Sequence, residues 1–557
     1  MKRNALNMLL LSAALAAPVS AGLPAGDKVF AAMRDEMSRS MGKLDLDGLG
    51  KPCFMSYRVQ TGHTFSVSAS FGGLERNYST DFRRLGVDLR VGTYSFDSSH
   101  YASDIWNGYH TAVDNAAPLE DDYGALRFDL WSLTDGAYKK ALETYSKKKA
   151  FVESKNITDL YPDISTEPVH DLYLPAPVER LDEALWKKNV RRISAVFRKY
   201  PAVRYSAVSL GFTSGGERFL NSEGSAYRQP LCGGSVSIDA VGFAPDGFRL
   251  HSSYSESFCD AKDAPPVDRL ISRAEEMGRK MAEQDKSGVL KAYIGPVLFE
   301  RQAAAAFFSS LLVSNVSSPR EIWTDPNRWY GDGVYRRAGR LVERLGMRVM
   351  SPFLNVVDDP LASYYDGRPL TGHYLADNEG VPAHRLQLVR KGKLVAYYMS
   401  RAATRDFPGS NGHGLGALDE YPDGSPSNVF ITPDDNPSKV LSDEALKKRF
   451  LDLCKDEELD YCVRVDSLNG LYGPFMAWKV YLDGREEPVH GIEFTEVTLR
   501  ALRDIVAVSR ERGVYDLDWT TGGSIVTPSI LVQEMEIKKS ERKPDKLPYL
   551  PNPYFSE

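Results

Sequence analysis

The most constraining feature of the sequence is a run of strict alternation between apolar and polar residues. Thr64 to Phe71 reads Thr-Phe-Ser-Val-Ser-Ala-Ser-Phe, and Val87 to Val91 reads Val-Asp-Leu-Arg-Val. A side-chain period of two suits a strand with one face buried; a helix would repeat its apolar residues every three to four positions. Cys53–Phe96 is therefore expected to form half-buried strands. A second strand-rich block spans Tyr205–Tyr254, a third about 291–435, and a shorter mixed block 443–535. Helical spacing appears in Asp27–Met41, Leu126–Ser154 (ending in the basic cluster Lys147-Lys148-Lys149), Leu181–Tyr200 and Val267–Asp285. Ala303–Val316 is apolar but broken by serines, and reads as a buried helix. Tyr161–Val178, with four prolines and little periodicity, reads as a surface connection. No internal repeat is visible. The expected class is α+β, with a mixed α/β N-terminal domain over 22–288 and a mainly β C-terminal domain over 289–535. A Pro-rich tail is expected over 536–557.

The chain has 557 residues, a formal charge of −6, 42% hydrophobic and 26% charged residues. These values exclude wholesale disorder, collagen and a polytopic membrane protein. The mildly acidic balance gives no footprint for nucleic acid. Lys2-Arg3, an apolar run from Ala5 to Ala17 and Val19-Ser20-Ala21 form the three parts of a signal peptide over residues 1–21. The expectation is an exported, periplasmic protein with no membrane span after cleavage. Five cysteines, none in a C-x-x-C, leave at least one thiol unpaired in an oxidising compartment. Cys232 and Cys259 flank the turn signal Ala244-Pro245-Asp246-Gly247 at equal distance, so a hairpin folded there would set them nearly opposite for a disulfide.

Chemistry is harder to read from the residues. No H-E-x-x-H, G-x-S-x-G, P-loop or dinucleotide fingerprint occurs. His373, His384 and His413 offer a possible metal cluster, although scattered histidines are commoner. Asp358-Asp359 and Asp377-Asn378-Glu379 read as solvated turns before they read as acid/base pairs.

The segment Asp366–Pro382, with its Asp377-Asn378-Glu379-Gly380 turn, resembles the TldD/PmbA family, once called modulators of DNA gyrase and regarded as metallopeptidases. The likeness continues through Leu388–Met399, with its Gly392-Lys393-Leu394 hairpin, to Ser410-Asn411-Gly412-His413-Gly414. Phe71–Glu75, Phe219–Gly224, Tyr481–Glu486 with His490-Gly491, and Ser524–Leu531 resemble other parts of the family in the same order. The resemblance implies a two-domain architecture with a barrel-like C-terminal domain. It also implies a peptide cleft, for which His373, Asp377, Asn378, Glu379, Gly380, Asn411 and His413 are the candidates. Catalytic members are similar to zinc peptidases with an H-E-x-x-x-H helix and a distant Cys ligand. Alignment by the preceding apolar strand places Glu300, Arg301 and Ala305 at those helix positions, and Asp518-Trp519-Thr520-Thr521 where the Cys is expected. The zinc ligands are thus expected to be lost, as in the PmbA-like subunit. The implied role is a chain without zinc or other cofactor that binds unfolded peptide, either beside a TldD-like catalytic subunit or as a dimer with itself. An active hydrolase built on His373 and His413, and a solitary envelope protein, remain alternatives.

Overall fold

The protein is described here from a computed structural model, covering residues 23–46, 50–102, 113–324, 334–335, 339–469, 473–517 and 522–543, with 545, 547 and 550. The signal-peptide segment and most of the Pro-rich tail lie outside the described residues.

In the N-terminal half, helix α1 (Lys28–Lys43) begins at Asp27, whose carboxylate accepts hydrogen bonds from the Val29 and Phe30 amides. The long hairpin β1 (Pro52–Ser70) and β2 (Gly73–Thr93) follows. After it come α2 (Tyr123–Ser154), α3 (Glu183–Ala195), β3 (Tyr205–Asn221), β4 (Ala226–Phe243), β5 (Arg249–Phe258) and α4 (Val267–Gln284). The main strands lie antiparallel in the order β2–β1–β3–β4–β5.

Alternation decides the two faces of this sheet. Met55, Tyr57, Val59, Leu85, Val87 and Leu89 point to one side and pack beneath α1 and α2. Further along the same face, Phe65, Val67, Ala69, Val208, Leu210 and Phe212 pack beneath α3 and α4. Each fully buried Val, Leu, Phe or Met among them contributes about 1.5–3 kcal/mol. The intervening residues, among them Phe54, Arg58, Gly86 and Glu217, point the other way. They are also buried or nearly so, because loops of the C-terminal half cover them: Arg58 donates to the Gly416 and Ala417 carbonyls, and Leu418 sits against Gly86. The disulfide between Cys232 and Cys259 joins β4 to the residue after β5.

The C-terminal half comprises β6 (Ala292–Phe299), α5 (Arg301–Leu311), β7 (Leu354–Asp358), β8 (Leu386–Arg390), β9 (Asn428–Pro433), α6 (Asp443–Asp456), β10 (Tyr461–Asn469), β11 (Gly473–Tyr481), β12 (Glu486–His490), β13 (Ile505–Asp516) and β14 (Ser524–Lys539). Its sheet runs β12–β11–β10–β6–β14–β9–β7–β8, with β13 also on β14. Two contacts, β6 with β10 and β9 with β14, are parallel, so the sheet is mixed. Helix α5 is the buried helix expected from its composition: Ala303, Ala304, Phe307, Phe308 and Leu311 sit in the largest core cluster. Small alanines let its backbone approach the sheet closely. The molecule is α+β and rich in strands, as expected.

Three expectations fail. The Pro-rich connection is not wholly at the surface, since Asp163, Ile164 and Ser165 are buried. Asp358 is no solvated turn residue; it is fully buried at the end of β7. The last strand runs to Lys539, into the segment read as tail. Prolines mark where regular structure stops, but burial of the connecting chain is set by what packs over it. Among the described residues, no helix is long and apolar enough to cross a membrane.

Candidate binding cleft

A cavity of about 1090 Å³ opens between the two halves. On one side stand β5 and α4; on the other stand α5, β10, β13 and the first turn of α6. Glu300 occupies the single residue between β6 and α5, held extended (φ −70°, ψ 163°) at the N-cap position. Facing it, Arg464 and Asp466 alternate on β10 with Val463 and Val465, which are fully buried in the core behind. The strand period thus turns its charged residues into the cleft.

These charges form a continuous chain. Arg464 donates from Nη1 to Glu300 Oε1 at 2.9 Å and from Nη2 to Glu486 Oε2 at 2.8 Å, while its guanidinium lies 4.3 Å over the Trp478 ring. Lys447 meets Glu486 at 2.6 Å. Lys280, from α4, meets Asp466 at 2.5 Å and Glu276 at 3.1 Å. The Glu300 and Asp466 carboxyls are near enough to act on each other's charge. Burial pushes the Glu300 carboxyl above its ordinary range, and neighbouring Asp466 adds to this against the pull of Arg464. Burial acts the same way on Asp466, but Lys280 outweighs it and holds that carboxylate low.

Among the described residues, this arrangement does not fit zinc. Ala305 is buried and has no donor atom, and Glu300 already holds a cation. No histidine or cysteine is among the described residues lining the cleft. A divalent ion beside Glu300 would meet Arg464 and Lys280, which sit where its charge would be repelled. The Arg301 side chain and Asp518–Thr521 lie outside the description.

The peptide-cleft candidates lie elsewhere. Asp377, Glu379, Gly380 and His413 are buried, and none of the seven lines this cleft. Most belong to a loop joint pressed against the outer face of the N-terminal sheet. Asp377 accepts from the amides of Glu379, Val381 and Gly414; Asn378 accepts from Gly416 and reaches Glu217. Glu379 accepts from the Arg401 amide at 2.6 Å, and Arg401 in turn grips Glu223 with two bonds of 2.7 Å. Burial raises Asp377 to about 6, and burial with the nearby Asp377 charge raises Glu379 to about 8. Gly380 is required twice over: its φ is +81°, and a Cβ would lie 2.5 Å from the Phe219 ring. Asn411 braces the Tyr397–Met399 backbone from both amide atoms. His413 lies 3.4 Å from Asp358, which raises its pKa although burial opposes the charge. Only His373 is exposed among these seven, its Nδ1 at 2.9 Å from the Pro360 carbonyl. The motifs that carry the resemblance therefore build a joint. Nor do His373, His384 and His413 converge: two are exposed and one is buried.

The sequence also concealed a buried charge network. Lys148, from α2, donates to the Asp97 and Ser99 carbonyls and to Asp163 Oδ2 at 2.7 Å. Arg320 reaches Asp163 at 2.7 Å, Arg90 lies 3.6 Å from Asp97, and His100 lies beside Asp163 at 3.7 Å. Asp97, His100 and Asp163 could be taken for metal ligands. Yet Lys148, Arg90 and Arg320 already neutralise both carboxylates, and burial drives His100 down to about 3. No local pattern signals this set. By contrast, the Val-Arg-Val-Asp order of 463–466 could have flagged the charged wall of the cleft.

Residues 293–539 match the PmbA/TldA metallopeptidase C-terminal domain. No curated protein matches the sequence. Among solved structures, a proposed modulator of a DNA gyrase from Thermotoga maritima has a TM-score of 0.61 at 15% identity, covering 91% of this chain and 100% of its own. TldE from Thermococcus kodakarensis has 0.58 at 16%, covering 91% and 99%. A proposed modulator of DNA gyrase from Bacteroides thetaiotaomicron has 0.56 at 11%, covering 92% and 98%. At such identities the structures speak for the fold alone, and the family model adds the lineage of the C-terminal half: residues 293–539 form a PmbA/TldD-type metallopeptidase C-terminal domain.

Proposed function

We propose that this chain is an exported, zinc-free member of the family that binds extended, unfolded peptide beside a catalytic TldD-like partner. The observation that carries this reading is the cleft itself. It is large and polar, and it opens where the aligned zinc positions lie. The chain Lys280–Asp466–Glu300–Arg464–Glu486 occupies the space that ligands and metal would need. A general base beside a metal is also absent from this arrangement, because Glu300 is tied to Arg464. The outer edge of β5 has no strand partner among the described residues, and Ser252–Ser255 of that strand line the cleft. An extended segment could add there by main-chain hydrogen bonds.

The test is metal content of the mature chain, purified without chelators from its own compartment, followed by zinc titration calorimetry. The expected result is no stoichiometric zinc and no saturable site. About one zinc per chain, lost on Glu300→Gln, would overturn the proposal. Affinity purification should bring down a second exported family member carrying an intact H-E-x-x-x-H. Readings with His373 and His413 as catalytic groups lose support from the burial of His413.

A further inference from the structure

Resting on the reading of the cleft as a peptide site, we infer that its ligand is an extended segment carrying lysine or arginine, and that Asp516 receives one of those cations.

The volume, about 1090 Å³, reaches the upper end of the range for small-molecule pockets, so the space suits a longer ligand. The walls mix ten aliphatic or aromatic side chains, among them Tyr254, Met277 and Leu446, with eight serines, including Ser252, Ser253 and Ser255 on β5 and Ser309 and Ser310 on α5. Hydroxyls and an open strand edge suit a backbone.

Charge then selects among peptides. The described lining residues include eight carboxylates and five cationic side chains. All five cations are already held by carboxylates: Arg464 by Glu300 and Glu486, Lys447 by Glu486, Lys280 by Asp466 and Glu276, Arg273 by Glu276, and Arg368 by Glu256. Eight carboxylates against five cations leave the described lining with an excess of three negative charges, which favours a cationic ligand, and each carboxylate has about four acceptor positions of which most pairs use one or two.

Asp516 is the acid best placed to receive the ligand's charge. It ends β13 at the seam with β5, where Ser255 Oγ donates to its Oδ2 at 2.7 Å. No lysine or arginine lies within ion-pair distance of it among the described residues. The nearest formal charges that act on it are Arg368, already paired with Glu256, and Glu256 itself. Burial lifts its pKa, which a cation would reverse. A half-buried carboxylate that lacks an ion pair among the described residues gains from a ligand that brings one, because partial burial weakens screening by solvent.

The experiment uses the full mature chain and three fluorescein-labelled extended peptides of equal length, rich in lysine, in glutamine or in glutamate. Fluorescence anisotropy is read at low and high salt. The inference expects the lysine peptide to bind roughly tenfold more tightly than the glutamine peptide at low salt, equivalent to about 1.4 kcal/mol. The advantage, read as the ratio of lysine- to glutamine-peptide affinity in the same protein, should shrink with salt and fall severalfold in Asp516→Asn. Because Asn preserves shape and the bond from Ser255, loss of folding is separable by its circular dichroism. Equal binding of all three peptides would overturn the charge preference and leave the peptide site standing. Tighter binding of the glutamate peptide would also overturn it. Failure of all three to bind, with the fold intact, would overturn this inference and the proposed peptide site together.

Discussion

Lys148 offers the sharpest test of how the interior is held together. Its ammonium group is fully buried and saturated by three acceptors: the Asp97 and Ser99 carbonyls at 3.0 and 2.8 Å, and Asp163 Oδ2 at 2.7 Å. Lys148→Met keeps an apolar stem against Phe96 and Trp323, whose rings lie 4.7 and 5.4 Å from Nζ. It removes the charge and leaves two buried carbonyls without this donor. Removing one partner of a buried ion pair costs about 3–5 kcal/mol, and the retained packing keeps the loss within that range. The adjacent Lys147 is an internal control. It is exposed and pairs only with Glu143 one turn away, so Lys147→Met should cost under about 0.5 kcal/mol. Urea unfolding followed by circular dichroism reads both changes as midpoint shifts. Near-equal midpoints for the two variants, or a Lys148→Met loss below about 1 kcal/mol, would refute the view of Lys148 as a buried structural cation.

The remaining predictions concern the joint and the hairpin. Glu379 holds its proton to about pH 8 in the fold but releases it near 4.5 when unfolded, so its contribution is fully present below 4.5 and fades as pH rises to 8. Glu379→Gln should therefore flatten a decline on the order of a few kcal/mol across that window; an unchanged slope in pH-dependent urea midpoints would refute the assignment. Gly380→Ala should destabilise by about 2–4 kcal/mol, from the left-handed φ and the Cβ contact with Phe219, and a neutral effect on thermal unfolding would contradict the geometry. Replacing Cys232 and Cys259 together by Ser opens a loop with a sequence separation of 27 and should cost about 3–4 kcal/mol. Peptide mapping without reductant should first recover those two residues linked and Cys454 and Cys462 as thiols.

Local pattern determined a good deal of this protein. The period of two in β1 and β2, the spacing in α1 to α4 and the apolar run of α5 fixed where strands and helices form, because those periods are set by backbone geometry. The equal spacing of Cys232 and Cys259 about one turn placed them for the bond that the hairpin makes. The order of weak motifs from Phe71 to Leu531 pointed to the family resemblance, and the identities of Glu300 and Ala305, on which the proposal of a zinc-free site rests, are legible there as well. What the sequence could not supply was the company each residue keeps. Asp377, Glu379 and His413 look like solvent-facing groups of a site, yet they are buried because the loop carrying them docks on β1, β3 and β4, far away in the chain. Lys148 looks like one lysine of a basic surface run, yet α2 turns it inward onto Asp163. The cleft exists only where α4, α5, β5, β10 and β13 meet, and its charge balance is a sum over residues from Asp239 to Asp516. Burial and charge pairing depend on contacts between distant segments, and those are decided only when the tertiary structure brings the segments together.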